Sequence, residues 1–211
     1  MAEPGNLFIV SGPSGAGKSL LSARVLESVP NLHFSVSYTT RAPRGNEAHG
    51  VDYYFVGRDE FQSLVSRGLF LEWAEVYGNY YGTSGRFIEE TIRRGGDVLL
   101  DIDVQGAEII KRKKPNAISV FVLPPSYEVL RERLESRKLD KDYVIEQRLR
   151  IACQEIRQYA EYEFLVINDE LSRSVEELKV IILGSRCRMS ARAERPRAIV
   201  ATFGGLDAEN P

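Results

Sequence analysis

The chain has 211 residues, a length that suits one α/β domain and is short for two. Hydrophobic residues make up 43% and charged residues 27%, near the averages of globular proteins, which argues against a disordered or fibrous chain. The formal net charge of −2 gives no overall electrostatic reason to expect a nucleic acid partner.

Targeting and cysteine signals are weak. The N-terminal residues lack the basic region and apolar core of a signal peptide, and no apolar run approaches the ~18 residues of a membrane span. We therefore expect a cytoplasmic protein without a membrane partner. Cys153 and Cys187 form no CxxC pair, and His33 and His49 stand apart from both, so neither a disulfide framework nor a zinc site is expected. The sequence leaves a homo-oligomer open.

Short β-rich apolar runs alternate along the chain with segments of helical periodicity. The predicted strands are Leu7–Val10, Phe34–Tyr38, Tyr53–Val56, Val98–Ile102, Ile118–Leu123 and Phe164–Ile167. The predicted helices are Lys18–Ser28, Glu60–Arg67, Arg86–Arg94, Tyr127–Lys138, Tyr143–Tyr162 and Ser174–Arg188. This alternation predicts an α/β fold with a mostly parallel sheet flanked by helices.

Two segments interrupt the alternation. Residues 37–92 are dense in Tyr, Gly and Arg and contain only short strands, whereas residues 124–157 carry two charged helices after Pro124-Pro125. We interpret both as lobes inserted into the core of a single domain, with the core formed by residues 1–36, 93–123 and 158–203. Residues 204–211 have the Gly-Gly and polar composition of a disordered tail.

A glycine-rich loop follows the first predicted strand and precedes the first helix. It reads Gly12-Pro13-Ser14-Gly15-Ala16-Gly17-Lys18-Ser19, an unbroken GxxxxGK[ST], and the dinucleotide pattern GxGxxG does not fit its glycines. Glycine leaves backbone N–H groups accessible to phosphate oxygens, and the helix N-terminus adds about half a positive charge. We therefore predict that this loop binds ATP, with Lys18 on the β- and γ-phosphates and the Ser19 hydroxyl on Mg²⁺.

Five later segments form a second set of motifs beside this loop. They are Phe34–Arg44, Gly50–Phe55, Leu71–Ala74, Gly78–Thr83 and Leu100–Gly106. Together with the loop, these segments closely resemble the guanylate kinases, and the resemblance extends from about residue 7 to residue 188. It implies a P-loop NTPase core with an inserted acceptor-binding lobe and a helical lid. It also implies ATP with Mg²⁺ as phosphoryl donor, GMP and dGMP as acceptors, and direct phosphoryl transfer.

The resemblance also implies the residues of the acceptor site. The implied phosphate residues are Arg41, Arg44, Tyr53 and Tyr81, and the implied guanine residues are Ser37, Glu72, Thr83 and Asp103. The two guanidinium groups of Arg41 and Arg44 suit a phosphate dianion. A carboxylate at Glu72 accepts the adjacent N1–H and N2–H₂ of guanine, which adenine lacks. The alternative interpretations are a solvated pair of arginines and a solvent-facing glutamate.

The remaining implied groups lie at a strand end and in the lid. Asp101 ends an apolar run, as an acid that holds water of the Mg²⁺ shell does, although strand-end aspartates also form turns. For the lid arginines, Arg133, Arg137 and Arg148, the alternative is a solvated helix face. For Asn168 the alternative is an ordinary Asn-Asp turn. The segment Lys138–Asp142 departs from the Gly-Thr-rich turn of relatives and leaves lid closure open. The resemblance makes Lys18, Arg41, Asp101, Arg137 and Arg148 catalytic and adds Arg133, Arg137 and Asn168 to the ATP site.

Two other functions compete with this interpretation. A kinase of a phosphorylated sugar would keep the loop but would not need Glu72 or Ser37. A guanylate-kinase-like scaffold domain would bind protein partners and typically lose loop residues, yet Lys18 and Ser19 persist. The basic run from Arg186 to Arg197 is typical of a solvated helix end, with nucleic-acid binding as the weaker alternative.

Overall fold

The structure is a computed structural model, and it describes residues 3–76, 78–136, 142–191 and 194–203. The strands are β1 (Leu7–Ser11), β2 (Leu32–Phe34), β3 (Tyr38–Thr39), β4 (Tyr54–Phe55), β5 (Phe70–Val76), β6 (Asn79–Ser84), β7 (Asp97–Asp101), β8 (Ile118–Leu123) and β9 (Phe164–Ile167). The α-helices are α1 (Lys18–Ser28), α2 (Arg58–Ser66), α3 (Gly85–Arg93), α4 (Val104–Lys113), α5 (Tyr127–Ser136), α6 (Asp142–Glu155), α7 (Leu171–Ser185) and α8 (Glu194–Thr202). Two 3₁₀ segments are Ile156–Glu161 and Met189–Ala191.

The strands form two sheets. A five-stranded parallel sheet has the order β2-β7-β1-β8-β9. A four-stranded mixed sheet has the order β4-β3-β6-β5, with β6 antiparallel to both of its neighbours. Because β1 is central and pairs with β7, the loop after β1 leaves the carboxyl edge of the sheet next to the end of β7.

Successive residues of β1 pack on opposite faces of the parallel sheet. Phe8 and Val10 join a buried cluster with side chains of α1 and α7. Leu7 and Ile9 join a second cluster with side chains of α3 and α4. A strand covered on both faces is apolar at every position, which explains the unbroken run in the sequence. The predicted α/β fold, with a parallel sheet flanked by helices, is confirmed.

Aromatic rings fill the mixed sheet, whose short strands bury little aliphatic surface. The ring of Phe61 on α2 lies 4.8 Å from that of Phe70 and 5.5 Å from that of Tyr80, measured between centroids. On the next strands, Tyr38 stacks on Tyr54 at 4.7 Å. Such pairs add about 0.5–1.5 kcal/mol each beyond their buried area, so they stabilise a small sheet efficiently.

Helices α5 and α6 have a small apolar core of their own, and α5 rests on the loop after β1. A Cβ added at Gly15 of that loop would lie 2.8 Å from a methyl carbon of Leu130. The loop and the helical segment are therefore packed together. The core of this segment consists of Leu130, Leu134, Ile145, Leu149 and Ala152.

One predicted strand, Phe34–Tyr38, is wrong as a single element. β2 ends at Phe34 in the parallel sheet, and β3 begins at Tyr38 in the mixed sheet. Residues 35–37 carry the chain from one sheet to the other. The sequence run has no break because alternation of side chains records the strand period but not the sheet to which a residue belongs.

The strands β5 and β6 and the helix α4 were not predicted, and one helix was predicted too long. β5 and β6 form an antiparallel hairpin in a segment whose glycines resemble a loop. α4 begins after the N-cap Asp103 and ends in three basic residues, both of which are helix signals. The helix predicted as Tyr143–Tyr162 ends at Glu155 and continues as a 3₁₀ segment. Within the described ranges, no helix combines the length and apolar composition needed to cross a membrane.

Candidate active site

The loop Gly12–Ser19 adopts backbone conformations that favour glycine at three positions. The φ angles of Gly12, Gly15 and Gly17 are 138°, 92° and 92°. A Cβ at Gly12 would lie 2.3 Å from a carbonyl oxygen of β8, and one at Gly17 would lie 2.3 Å from Nδ2 of Asn168. The loop leads directly into α1, whose first N–H groups have no intrahelical partner. This geometry suits the binding of a phosphate group.

Lys18, Ser19 and Asp101 meet where β1 and β7 end. The Lys18 Nζ donates to the carbonyl oxygens of Gly12 at 2.7 Å and Pro13 at 3.2 Å. The Ser19 hydroxyl donates to Oδ2 of Asp101 at 2.7 Å. Burial raises the pKa of Asp101, whereas the charge of Lys18 and the hydrogen bond from Ser19 oppose the rise. The lysine thus lies over the loop, with donors that can transfer from carbonyl to phosphate oxygens.

The pair of Ser19 and Asp101 suits Mg²⁺ in its donor chemistry. Mg²⁺ takes hard oxygen ligands, keeps several waters and often shares phosphate oxygens instead of occupying a cage built by protein alone. In the part of the chain that the structure describes, no group of three or more His, Cys, Asp or Glu is placed to hold a metal ion. One hydroxyl and one carboxylate beside a phosphate loop therefore fit a cation that arrives with a nucleotide.

Arg41 is held in the mixed sheet by its hydrogen bonds. Its Nη1 and Nη2 each donate to one carboxylate oxygen of Glu47 at 2.9 Å, and its Nε donates to the Tyr81 hydroxyl at 3.2 Å. The guanidinium carbon lies 5.2 Å from the ring centroid of Tyr53. Burial acts to lower the pKa of Arg41, but the bonds with Glu47 and Tyr81 outweigh it and raise the pKa. Arg41, Tyr53 and Tyr81 are therefore neighbours.

Arg44 joins this group through its backbone. Its backbone N–H donates to Oε2 of Glu47 at 2.8 Å, so one carboxylate fixes both the Arg41 side chain and the Arg44 backbone. Glu47 did not figure in the sequence interpretation. Its position six residues after Arg41 has no periodicity that would have indicated the contact, which arises from the fold of the loop between β3 and β4.

Glu72 is a buried carboxylate on β5. Only 5% of the residue is exposed, and the Thr83 hydroxyl, opposite it on β6, donates to Oε1 at 2.5 Å. Burial raises the pKa of Glu72 to about 7; the bond from Thr83 opposes this rise, and the nearby carboxylate of Asp103 adds to it. The alternative of a solvent-facing glutamate is therefore wrong. Ser37, before β3, is also buried.

Asp103 has a structural contact that its predicted role did not include. Its Oδ1 accepts the N–H groups of Gln105 at 2.7 Å and Gly106 at 3.1 Å, and it thereby caps α4. Because its charge raises the pKa of Glu72, the two carboxylates lie near each other. Contact between Asp103 and a guanine base stays a prediction.

Arg133 and Asn168 both donate hydrogen bonds to the backbone of the phosphate loop. The Asn168 Nδ2 donates to the carbonyl oxygen of Ala16 at 2.7 Å. Arg133 donates to the same oxygen at 3.3 Å and to the carbonyl oxygen of Asn168 at 2.8 Å. Asn168 is 5% exposed, so it is part of the interior and not a surface turn residue. Direct contact of either side chain with ATP stays a prediction.

Arg148 connects α6 to the phosphate loop. It is 8% exposed, and its Nη2 donates to the Ser14 hydroxyl at 2.5 Å, so the alternative of a solvated helix face is wrong for this arginine. Arg137, predicted to act with it, lies outside the described residues, as do residues 138–141 and the predicted tail 204–211.

Glu155, the last residue of α6, was also missed by the sequence interpretation. Burial raises the pKa of its carboxyl, and Lys18 opposes the rise, while Asp103 adds to it. The carboxylate also accepts the backbone N–H of Ser14. No local signal distinguishes this glutamate from the other charged residues of α6, because its burial depends on how the helix meets the loop.

The first arginines of the C-terminal basic run have defined partners. The Arg186 Nε donates to Oδ2 of Asp97 at 2.7 Å, and Arg188 forms an ion pair with Glu163 at 3.4 Å. Arg186 also donates to the carbonyl oxygen of Pro30 at 2.7 Å. These contacts hold the end of α7 against the core, so these two arginines have structural partners.

Known proteins resemble this chain in sequence over most of its length. The family model described as "Guanylate kinase" matches residues 4–184. A guanylate kinase of Geobacter metallireducens is 50% identical over 188 residues, which cover 89% of this chain and 93% of that protein. One from Escherichia coli K12 is 48% identical over 199 residues, with coverages of 93% and 96%.

A solved structure agrees at the level of the whole fold. The crystal structure of guanylate kinase from Anaplasma phagocytophilum superposes with a TM-score of 0.84 at 31% identity, and the match covers 98% of this chain and 99% of that one. The resemblance inferred from the motifs is confirmed by these matches. The chain belongs to the guanylate kinase family.

Proposed function

We propose that this guanylate kinase transfers the γ-phosphate of ATP to GMP, and also to dGMP, by direct phosphoryl transfer assisted by Mg²⁺. The observation that carries the choice of acceptor is the buried Glu72 carboxylate, held by Thr83. A sugar phosphate has no pair of adjacent N–H donors for such a carboxylate. A scaffold domain would not need the Lys18, Ser19 and Asp101 cluster.

The donor site proposed here is the loop Gly12–Ser19. Its N–H groups and Lys18 would hold the β- and γ-phosphates, and Arg133, Arg137 and Asn168 would complete the ATP site. Ser19, and Asp101 through a water, would hold Mg²⁺, which would neutralise negative charge that develops during transfer. The support is the glycine loop, with its positive φ angles, and the hydrogen bond between Ser19 and Asp101.

The acceptor site proposed here lies in the mixed sheet. Arg41, Arg44, Tyr53 and Tyr81 would hold the GMP phosphate. The proposal is supported by the proximity of the Arg41 guanidinium to both tyrosines. Burial raises the pKa of Tyr53, and the charge of Asp101 adds to the rise. Asp101 of the proposed donor site is therefore close in space to Tyr53 of the proposed acceptor site. Closeness favours in-line transfer, in which positioning and charge neutralisation supply the rate enhancement.

Guanine would be bound by Glu72 together with Ser37, Thr83 and Asp103. The Glu72 carboxylate accepts N1–H and N2–H₂, and the Ser37 hydroxyl donates to O6. None of these proposed contacts, and none of the phosphate contacts, involves the ribose 2′-hydroxyl. The loss of that hydroxyl in dGMP therefore removes no proposed contact, and we expect dGMP to be a substrate.

The chain would then act as three parts of one domain. We assign the core to residues 1–36, 93–123 and 158–203, the acceptor lobe to 37–92, and a lid that closes over the phosphates to 124–157. The separate apolar cluster of α5 and α6 and the contact of Arg148 with Ser14 support the lid assignment. A cytoplasmic location, a homo-oligomer and the absence of nucleic acid partners stay predictions.

The test is a coupled assay with ATP and each of GMP, dGMP, AMP, CMP and UMP. A site built on hydrogen bonds rejects a ligand that lacks them by ~10⁴–10⁵, so GMP should exceed AMP in kcat/KM by at least ~10³-fold. Glu72→Gln should lower the GMP value by about 10²-fold, because a charge-assisted acceptor is replaced by a donor. Glu75→Gln is the matched control, since Glu75 is exposed on the same strand. Comparable turnover of AMP, or unchanged GMP efficiency in a folded Glu72→Gln variant, would overturn the proposed guanine site.

A further inference from the structure

Gly106, the third residue of α4, lies against the Glu72 carboxylate. A Cβ added at this glycine would lie 3.0 Å from Oε2, 3.3 Å from Cδ and 3.6 Å from Oε1 of Glu72. The first two distances are shorter than ordinary van der Waals contact between carbon and these atoms. A side chain at residue 106 would therefore have to displace the carboxylate or the helix.

The glycine is not required by its backbone conformation. Residue 106 is helical, and its φ lies outside the left-handed region. Glycine in a helix is less favourable than alanine, so the residue costs helix stability without a conformational reason. The close approach of the Glu72 carboxylate is the feature of the structure that does call for glycine here.

The carboxylate has little freedom to move aside. The Thr83 hydroxyl donates to Oε1 at 2.5 Å, so Glu72 is held between β6 on one side and Gly106 of α4 on another. At the other end of α4, the Lys113 Nζ donates to the carbonyl oxygen of Leu71 at 2.6 Å and fixes the helix to β5 next to Glu72. Displacement by an added methyl group would thus move the carboxylate relative to Thr83.

We propose that Gly106 is a specificity-determining position, which sets the place of the Glu72 carboxylate and thereby the binding of the guanine base. This inference rests on the proposed function, because it acts through the guanine contact assigned to Glu72. Gly106 is a positioning residue and does not itself touch the base. Its effect is confined to the acceptor, since the phosphate loop is held by contacts with Asn168 and Arg148.

The test compares two alanine substitutions in helices. Gly106→Ala should raise the KM for GMP about tenfold and leave the KM for ATP within about twofold, since displacements below ~1 Å already weaken a positioned contact. Gly184→Ala in α7 is the matched control, because a Cβ there has no atom within 4 Å, and it should change neither constant. An unchanged GMP KM in folded Gly106→Ala, or an equal rise for ATP, would overturn the inference.

A double-mutant cycle separates the inference from the function on which it rests. Glu72→Ala alone should lower kcat/KM for GMP; if it does not, the proposed guanine contact fails, and the inference fails with it. In the Glu72→Ala background, where the overlapping atoms are gone, Gly106→Ala should have less than about twofold effect on GMP. An undiminished effect of Gly106→Ala in this background would overturn the proposed role of Gly106 and would leave the proposed guanine contact of Glu72 standing. If Gly106→Ala does not fold, the double variant should fold, and its failure to do so would also overturn the inference.

Discussion

At the scale of single residues, the main feature of the site is a carboxyl group whose proposed function requires the ionised form, although its surroundings disfavour that form. Glu72 is buried, and burial raises its pKa to about 7 from an ordinary value of 4.5. Guanine offers two N–H donors, and these are best matched by the carboxylate. Binding of GMP should therefore favour loss of the Glu72 proton.

The KM for GMP should depend on pH with a sign set by this pKa. With a pKa of about 7, the group is mostly ionised above pH 8 and only about one tenth ionised at pH 6, so the KM for GMP should rise about tenfold between pH 8 and pH 6. The folded ligand-free protein favours the neutral form of Glu72. The contribution of this group to the free energy of unfolding is therefore complete below pH 4.5 and is lost as pH rises through 7. Initial-rate measurements between pH 6 and 8.5 give the KM for GMP.

The phosphate of GMP also titrates, near pH 6, and needs a control. Glu72→Gln has no proton to lose at this position, so the higher KM of this variant for GMP should change with pH only through the titration of the phosphate. Calorimetry of GMP binding at pH 6.5, in buffers of different ionisation enthalpy, should show proton release in the wild type and less in the variant. Equal release in both would assign the pH dependence to the ligand instead of Glu72.

Glu47 is a second residue whose role depends on a partly buried contact. It accepts both terminal nitrogens of Arg41 and the N–H of Arg44, and it therefore connects two residues of the proposed phosphate site. The hydrogen bond from Arg41, together with that from Arg44, lowers the pKa of Glu47 against the opposing effect of burial. The group is therefore ionised at neutral pH and acts as a fixed counter-charge.

Glu47→Ala should raise the KM for GMP about tenfold with a smaller change in kcat, because Arg41 loses the bidentate partner that orients it. Glu90→Ala removes an exposed ion pair with Arg86 on α3 and serves as the control. Initial rates at varied GMP and saturating ATP give both constants. A fall in the KM for GMP would mean that Glu47 competes with the acceptor phosphate for Arg41, contrary to this prediction.

At the scale of elements, the start of β7 connects three parts of the core. Asp97 is 3% exposed and accepts the backbone N–H of Asn6 at 2.7 Å, its Nδ2 at 3.1 Å and the Arg186 Nε at 2.7 Å. The carboxylate thus ties the segment before β1 and the end of α7 to the sheet. It lies at the opposite end of β7 from Asp101.

Asp97→Ala should destabilise the protein by about 3 kcal/mol, because it removes the buried acceptor of three partly buried donors. For a domain of this size that corresponds to a melting temperature about 10 °C lower. The KM for GMP and for ATP should stay within about twofold below the transition, since the site lies at the other edge of the sheet. Asp169→Ala, which breaks an exposed pair with Arg173, should have a much smaller effect on melting.

The sequence predicted elements well where a local signal coincides with the fold. The strand, loop and helix around Gly12–Ser19 follow from spacing alone, because the phosphate loop is continuous in sequence. The pairing of Glu72 with Thr83 and the contact of Glu47 with Arg41 required the hairpin and the loop to be folded. Glu155 also needed tertiary packing. Long-range contacts between polar groups have no periodicity, so they could not be predicted from local patterns.

At the scale of the whole molecule, α5 and α6 contact several residues of the phosphate loop, among them Ser14, Gly15 and Ala16. The side chain of Leu130 packs beside Gly15, Arg133 donates to the carbonyl oxygen of Ala16, and Arg148 donates to the Ser14 hydroxyl. The proposed lid is thus joined to the phosphate loop by apolar packing and by hydrogen bonds. Arg133 and Arg148 bring positive charge to this loop.

Arg148→Ala should lower kcat by about 10²–10³-fold and leave the KM for GMP within about threefold. The reason is that a cation beside the transferring phosphoryl group stabilises charge that is greatest in the transition state. Arg150→Ala is the matched control, because Arg150 is exposed on the same helix. The measurement is steady-state kinetics with both substrates varied, together with a melting curve for each variant. A rise in KM without a loss of kcat would make Arg148 a ground-state contact, and an equal loss in both variants would assign the effect to the helix and not to the guanidinium at the phosphate loop.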